Sequence, residues 1–339
     1  MIKYLLKSKI ESIRDFILTD TYIFTLDIDS VLYNETLKKS VETTTTNIRR
    51  FKNYILTYSN NFYDYNLNRN TYNVPNECFF YDLGYDSYIF LNNSTSMFLY
   101  NFEERSIKKQ IDFSNYEGGI ICLVDNENTL IDNGKNIYLY NLLSEKTIWQ
   151  YDLETYFHQP AQIMEGRVLV SNNKIIFFAH TEDWSNYATF VLDAQIGEVL
   201  FTTQEMGMKL VEHNNLVYQI QRKAIKILDP KNLKIETIDV STYCDEQSIF
   251  LDDHTVFFYK DKLYTLAREQ GSDVYNIWVI FNLKTQQFEH REDMFISPKK
   301  KKDEKNKMFI NDIQANDNLV AIRCSDNLYI FEKQDIESK

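Results

Sequence analysis

Residues 128–153 read NTLIDNGKNIYLYNLLSEKTIWQYDL, and they contain the unit from which the rest of the chain is built. An apolar run is followed by a turn, a second run ending in Leu-Tyr-Asn at Asn141, a turn of four residues and a third, more polar run. Residues 88–113, YIFLNNSTSMFLYNFEERSIKKQIDF, repeat the plan with Leu-Tyr-Asn ending at Asn101. Residues 22–34 (YIFTLDIDSVLYN) and 54–66 (YILTYSNNFYDYN) are equal in length and share their apolar positions. Within each run the apolar residues alternate or continue for five to seven positions, which is strand spacing; no 3.6-residue helical period is present.

The Asn or Asp after the second run serves as a marker. It recurs at Asn34, Asn66, Asn101, Asn141, Asp193, Asp229 and Asn282 and, less well, at Glu332. Repeats of roughly 40 residues holding four short strands are the signature of propeller blades. The fold class read here is all-β: a single β-propeller domain over residues 1–339, built of four-stranded blades. The markers count eight blades, or seven if the weak first or last copy is only part of one. Runs starting at Gly119, Met208, Gln247 and Met308 supply the inner strand A, the marked hairpin supplies strands B and C, and the polar run is the outer strand D. KIIFFAH (174–180) and TVFFYK (255–260) are predicted to be buried on both faces. The final copy, from Leu319, stops after strand C. Residues 2–9 are predicted to provide its outer strand and close the ring; the alternative for residues 2–16 is a short amphipathic helix presenting Leu5, Leu6, Ile10 and Ile13.

The composition agrees with this fold. With 24 Tyr and 23 Phe against only 8 Gly and 4 Pro, the chain has ample material for a core and little for disorder. Its turns must rely on Asn and Asp, which tolerate left-handed backbone next best to glycine. Lys3, Lys7, Lys9, Glu11 and Arg14 interrupt what would be the apolar part of a signal peptide, and no apolar stretch approaches the ~20 residues of a membrane span. Cys78, Cys122, Cys244 and Cys324 form no CxxC pair and read as reduced core thiols, so a cytoplasmic location is expected. The net charge of −12 opposes nucleic-acid and anionic-membrane partners, both of which need a positive field. The Lys299–Lys302 run reads as a solvated loop tip.

The stretch from Ile137 to Leu153 resembles the quinoprotein (PQQ-type) repeat, in which a strand ending in a Leu-Asp-like pair is followed by a turn, often with Gly, and a strand containing Trp. Residues 190–203, FVLDAQIGEVLFTT, are similar, with Asp193 and Gly197 at matching places. The resemblance implies propeller architecture. It does not extend to a cofactor, because the chain has no vicinal cysteines and nothing that aligns with the calcium and quinone ligands; no cofactor is expected. The WD-repeat pattern of a Gly-His pair and a Trp-Asp strand end is absent too.

No sequence motif for catalysis is found: no GxSxG, P-loop, GxGxxG or HExxH. The five histidines occur singly and read as loop or rim residues. The recurrent marker Asn and Asp read as turn-capping groups rather than ligands. Paired acids such as Asp252–Asp253 fall in predicted turns, although carboxylates from different blades can meet in a central channel, and a hydrolase or lyase site there is the alternative reading.

The positions of the insertions carry the functional reading. In a blade, the B–C and D–A connections share one end of the disc. The longest segments, 154–166, 180–187, 268–276 and the charged inter-blade loop 291–309, are all of these two kinds, whereas the C–D turns stay short. Enlarging one face of a repeat scaffold builds a binding surface. Tyr156, Phe157, Trp184, Tyr187 and Tyr275 are the candidate anchors for a protein partner. The acidity favours a basic partner, as an immunity or antitoxin-type protein would have.

Overall fold

The computed structural model describes residues 2–57, 61–72, 79–85, 88–92, 96–112, 119–133, 136–164, 168–296 and 304–335. Cys78 and the Lys299–Lys302 run lie outside them.

Eight antiparallel sheets follow one another along the chain. Blades 1 to 7 occupy residues 13–42, 48–71, 79–112, 119–152, 161–203, 211–239 and 249–293, each with its strands A to D in chain order. In blade 5 strand A is split into Ala161–Ile163 and Leu169–Ser171, both paired with Lys174–Thr181. Blade 8 takes strands A to C from Ile310–Ala315, Leu319–Cys324 and Asn327–Asp335, and its outer strand is the N-terminal Ile2–Glu11. Pairing runs from Ile2 opposite Asp335 to Glu11 opposite Asn327. The helical alternative for residues 2–16 is therefore overturned. A helix would have gathered Leu5, Leu6, Ile10 and Ile13 on one side; instead Leu6 is exposed and Tyr4 is buried against Trp278. The open edge of strand C, with its unpaired backbone groups, outweighs the local helical pattern.

Among the described residues the buried apolar side chains fall into eight clusters, and each lies between two neighbouring blades, from Phe24 and Tyr63 between blades 1 and 2 round to Phe16 and Ile330 between blades 8 and 1. This makes the sheets a ring: no blade buries its faces except against the next. Lys174–Thr181 is buried along nearly its whole length, as predicted. TVFFYK is not. Residues 255–259 are half-buried and form the second part of an 11-residue strand A, which bulges between Leu251 and Val256, while the buried strands of blade 7 are Lys262–Glu269 and Ile277–Asn282.

The markers close the C–D turns. The side-chain oxygen of Asn101 accepts the N–H groups of Glu103 and Glu104, both at 2.9 Å, and Asn34, Asn141, Asp193 and Asn282 do the same two and three residues on. In blade 2 the marker is two residues earlier than the pattern indicates: Asp64, not Asn66, accepts the N–H groups of Asn66 and Asn68. Glu332 makes no such turn, because its outer strand arrives from the other end of the chain; it pairs instead with Lys7 of that strand at 2.7 Å. In blades 3, 4, 5 and 7 strand D carries a bulge just past the turn. This explains why Ile148 and Leu200, the bulged residues of blades 4 and 5, face solvent.

Candidate protein-docking face

The B–C turn of blade 5 is a built structure. Asp183 accepts the Thr181 hydroxyl at 2.7 Å and the Ser185 N–H at 3.0 Å, and the Asn186 N–H donates to the Thr181 hydroxyl at 3.1 Å. These bonds hold the Asp183 carboxyl down to about 2, so it is ionised at any physiological pH. They also hold Trp184 at φ +60°, a left-handed conformation that costs a bulky residue about 1–2 kcal/mol. The indole lies flat on the buried His180 imidazole, with ring centroids 3.5 Å apart and planes 15° apart, yet it remains 48% exposed. His180 is fixed beneath it, its Nδ1 donating to the Thr181 carbonyl at 2.8 Å. Phe178 underlies both Trp184 and the exposed Tyr187.

The preceding D–A connection meets this turn. Gln159 donates to the Ser185 hydroxyl at 3.2 Å, and the Glu182 N–H donates to the Pro160 carbonyl. Its one-turn helix α1, Glu154–Phe157, points Phe157 inward and leaves Tyr156 38% exposed across Phe190. Of the five candidate residues, Tyr156, Trp184 and Tyr187 thus lie at the same end of blade 5, Trp184 and Tyr187 over Phe178 on the side towards blade 6, beside the exposed Glu182 and Asp183, and Tyr156 over Phe190 on the side towards blade 4. Phe157 is buried in the core between blades 4 and 5, where it supports that end of the blade from below. Tyr275 is half-buried two blades away, against the core between blades 7 and 8.

Part of this face escaped the sequence reading. Besides residues 268–276, the D–A connection between blades 6 and 7, which holds helix α2, Ser241–Glu246, belongs to this face by topology. Hydropathy at α2 is mixed and its only buried residue is Cys244, so it gave little periodic signal. Ile296 and Phe309, exposed in the connection to blade 8, also belong to this face by topology. The histidines differ from expectation. His158 caps α1, but His180, His213 and His290 lie in strands, and their rings stack on or abut Trp184, Phe258 and Trp278 respectively. Among the described residues no group of three or more His, Cys, Asp or Glu side chains is placed to hold a metal ion.

The innermost strands bring two carboxyls into electrostatic contact. Asp15 in blade 1 and Asp312 in blade 8 each follow a bulge in strand A. Both are pushed above the ordinary carboxyl range by burial, which outweighs the hydrogen bonds they accept and the nearby Arg323. Those bonds tie the ring together: Asp15 accepts the N–H of Phe16 and, at 3.0 Å, that of Ile48 in blade 2, while Asp312 accepts from Ile313 and Gln314. Gln314 in turn bonds the blade 1 backbone at Phe16 and Leu18. A carboxyl whose folded-state pKa is raised contributes stability below its unfolded pKa and loses it as pH rises through the folded value. The unfolding free energy of Asp312→Asn relative to the unsubstituted protein should therefore increase from about pH 4 towards neutrality. Denaturant titrations across that range test this; a difference independent of pH would show that Asp312 titrates normally. The described thiols are unpaired, and burial pushes those of Cys122 and Cys324 up to about 12 and that of Cys244 up to about 11, which makes them poor nucleophiles.

No protein-family profile and no curated protein matches this sequence. Solved structures do match in fold. The chain is similar to the computationally designed Ika8 protein (TM-score 0.60, 9% identity, 95% of this chain and 96% of that one). It is similar to the C-terminal WD40 domain of Sif2 (TM-score 0.57, 12% identity, 97% and 98%) and to BamB from Moraxella catarrhalis (TM-score 0.55, 11% identity, 97% and 100%). At these identities the likeness establishes the β-propeller fold and nothing narrower. No helix among the described residues is long and apolar enough to cross a membrane.

Proposed function

We propose that this propeller is a non-enzymatic binding module that docks a basic protein on its loop-rich face, with the blade 5 corner as the anchor. The observation that carries the reading is Trp184, strained into a left-handed conformation, stacked on a fixed imidazole and held half out of the surface beside Glu182 and ionised Asp183. An indole face bordered by carboxylates suits a Lys or Arg side chain, which gains both the cation–π attraction and the charge pairing. Tyr187 beside it and Tyr156 on the other side of the blade extend the aromatic surface, and aromatic anchors of this type dominate interface energetics. Neutralising a cationic protein, as an immunity or antitoxin protein does, fits a chain of net charge −12. The unpaired thiols suit a reducing compartment such as the cytoplasm. The hydrolase or lyase alternative would need available carboxylates in the channel, and those of Asp15 and Asp312 are engaged in holding strands.

The test is affinity capture from the native cells followed by titration of the captured partner. Trp184→Ala should weaken binding by about 2 kcal/mol, or roughly 30-fold. Glu182→Lys should mainly slow association and flatten its salt dependence. An interaction unchanged by both substitutions would remove the basis for this reading.

A further inference from the structure

The same face carries a second patch of opposite character. Between blades 6 and 7 lies an open hollow of about 540 Å³, lined by Arg222 and Lys223 of the blade 6 B–C turn, by Phe250 at the start of blade 7, and by Asp239 and Ser241. The Phe250 ring is approached by three cations: Lys223 Nζ at 5.4 Å, Arg222 Cζ at 5.7 Å and Arg268 Cζ at 5.8 Å. Arg268 also lies 5.6 Å from the ring of Tyr275, so the guanidinium stands between two aromatic faces.

The cations are not equally engaged. Lys223 pairs with Asp245 of helix α2, and Arg268 bonds the Ser272 carbonyl and reaches Asp273 at 3.3 Å. Asp239, the one acid in the hollow's lining, accepts the Ser241 N–H. Arg222 is exposed at the tip of a two-residue turn, and its guanidinium meets no carboxylate among the described residues; its only marked contact is Phe250. The turn is rigid, because the Leu251 N–H of blade 7 donates to the Arg222 carbonyl at 3.0 Å. A guanidinium on a fixed turn, beside an aromatic ring and without a carboxylate partner among the described residues, stands out on a chain with 12 more acidic than basic residues. It is complementary to carboxylates.

We infer that the hollow between blades 6 and 7 binds an acidic peptide segment of the docked protein, with Arg222 as the principal carboxylate contact and Phe250 packing the peptide's apolar atoms. This deepens the docking reading above, on which it rests. The face is bipolar, receiving cations at blade 5 and carboxylates at blades 6 and 7, and so accepts a partner in one orientation only. Such charge placement sets register and excludes wrong partners more than it adds affinity.

Fluorescence anisotropy with labelled oligoglutamate and oligolysine peptides separates the two halves. The unsubstituted protein should bind oligoglutamate with an affinity that falls as salt is raised. Arg222→Glu should weaken that binding by about tenfold or more and leave oligolysine unaffected, while Trp184→Ala should do the reverse. Because Arg222 is an exposed turn residue, the variant should keep the parent's melting temperature; Arg222→Ala, with the same expected direction, is the second variant. Failure of oligoglutamate to bind, equal binding to Arg222→Glu, or preference for a single-stranded oligonucleotide of matched charge would each overturn the inference. Loss of the oligolysine response alone would count against the blade 5 reading and leave this one standing.

Discussion

A chain lacking residues 2–11 is expected to lose cooperative folding. The deletion removes the entire outer strand of blade 8, ten residues paired without interruption except for one register shift near Lys7. It also extracts Tyr4, which packs edge-on against both Trp278 and His290, and a buried aromatic of that kind is worth about 3–5 kcal/mol by itself. The strand is the ring's only covalent link from the first blade back to the last, so its loss exposes the edge of Asn327–Asp335 and loosens the core between blades 7 and 8 as well. We expect aggregation through that edge, or a urea midpoint far below that of the full chain. A synthetic peptide of residues 2–11 added in trans should restore part of the midpoint. Equal midpoints for the truncated and full chains would show that blade 8 stands without its borrowed strand.

The second large effect is expected at Gly197. Trp149, on the outer strand of blade 4, reaches across to the C–D turn of blade 5, where its indole N–H donates to the Ala194 carbonyl at 3.1 Å. The ring lies so close to the Gly197 backbone that a Cβ there would sit 2.4 Å from the indole, and Gly197 has φ +71°. Gly197→Ala therefore combines about 1 kcal/mol or more of backbone strain with displacement of a buried indole, for a total loss of about 3 kcal/mol. Trp149→Ala should cost about 3–5 kcal/mol. In the double variant the steric part vanishes, leaving only the strain, so the two losses should be strongly non-additive. Additive losses in a double-mutant cycle would mean that the turn and the indole do not communicate.

Much of the architecture was legible because propeller blades depend on local rules. Strand spacing, the Asn or Asp that closes each C–D turn, and the repeat length are written in adjacent residues, and eight sheets with those turns are what formed. The failures share a cause. Asn66 reads as the marker by its place in the repeat, but the ladder ends the strand at Asp64, which takes the capping role. TVFFYK looked doubly buried because hydropathy does not reveal that a bulge places it at the edge nearest the axis. Residues 2–16 satisfied both a strand and a helix pattern until the open edge of blade 8, more than 300 positions away, selected the strand.

The sequence by itself determined that this chain is a ring of seven or eight small sheets and that its enlarged connections are of the two kinds that share one end, because those features follow from spacing and strand alternation; the structure decided that the sheets number eight. Only the tertiary structure decided which of the aromatic residues on that end are available and which charges surround them. Phe157 and Tyr156 are neighbours in the chain, yet one is core and the other surface, since a single helical turn faces two environments. Trp184 is presented because the buried His180 and the Asp183 turn fix it from below, and Arg222 comes to lie over Phe250, 28 positions later, only when two blades meet. Burial and charge complementarity are properties of surfaces assembled from distant segments, and no local pattern encodes them.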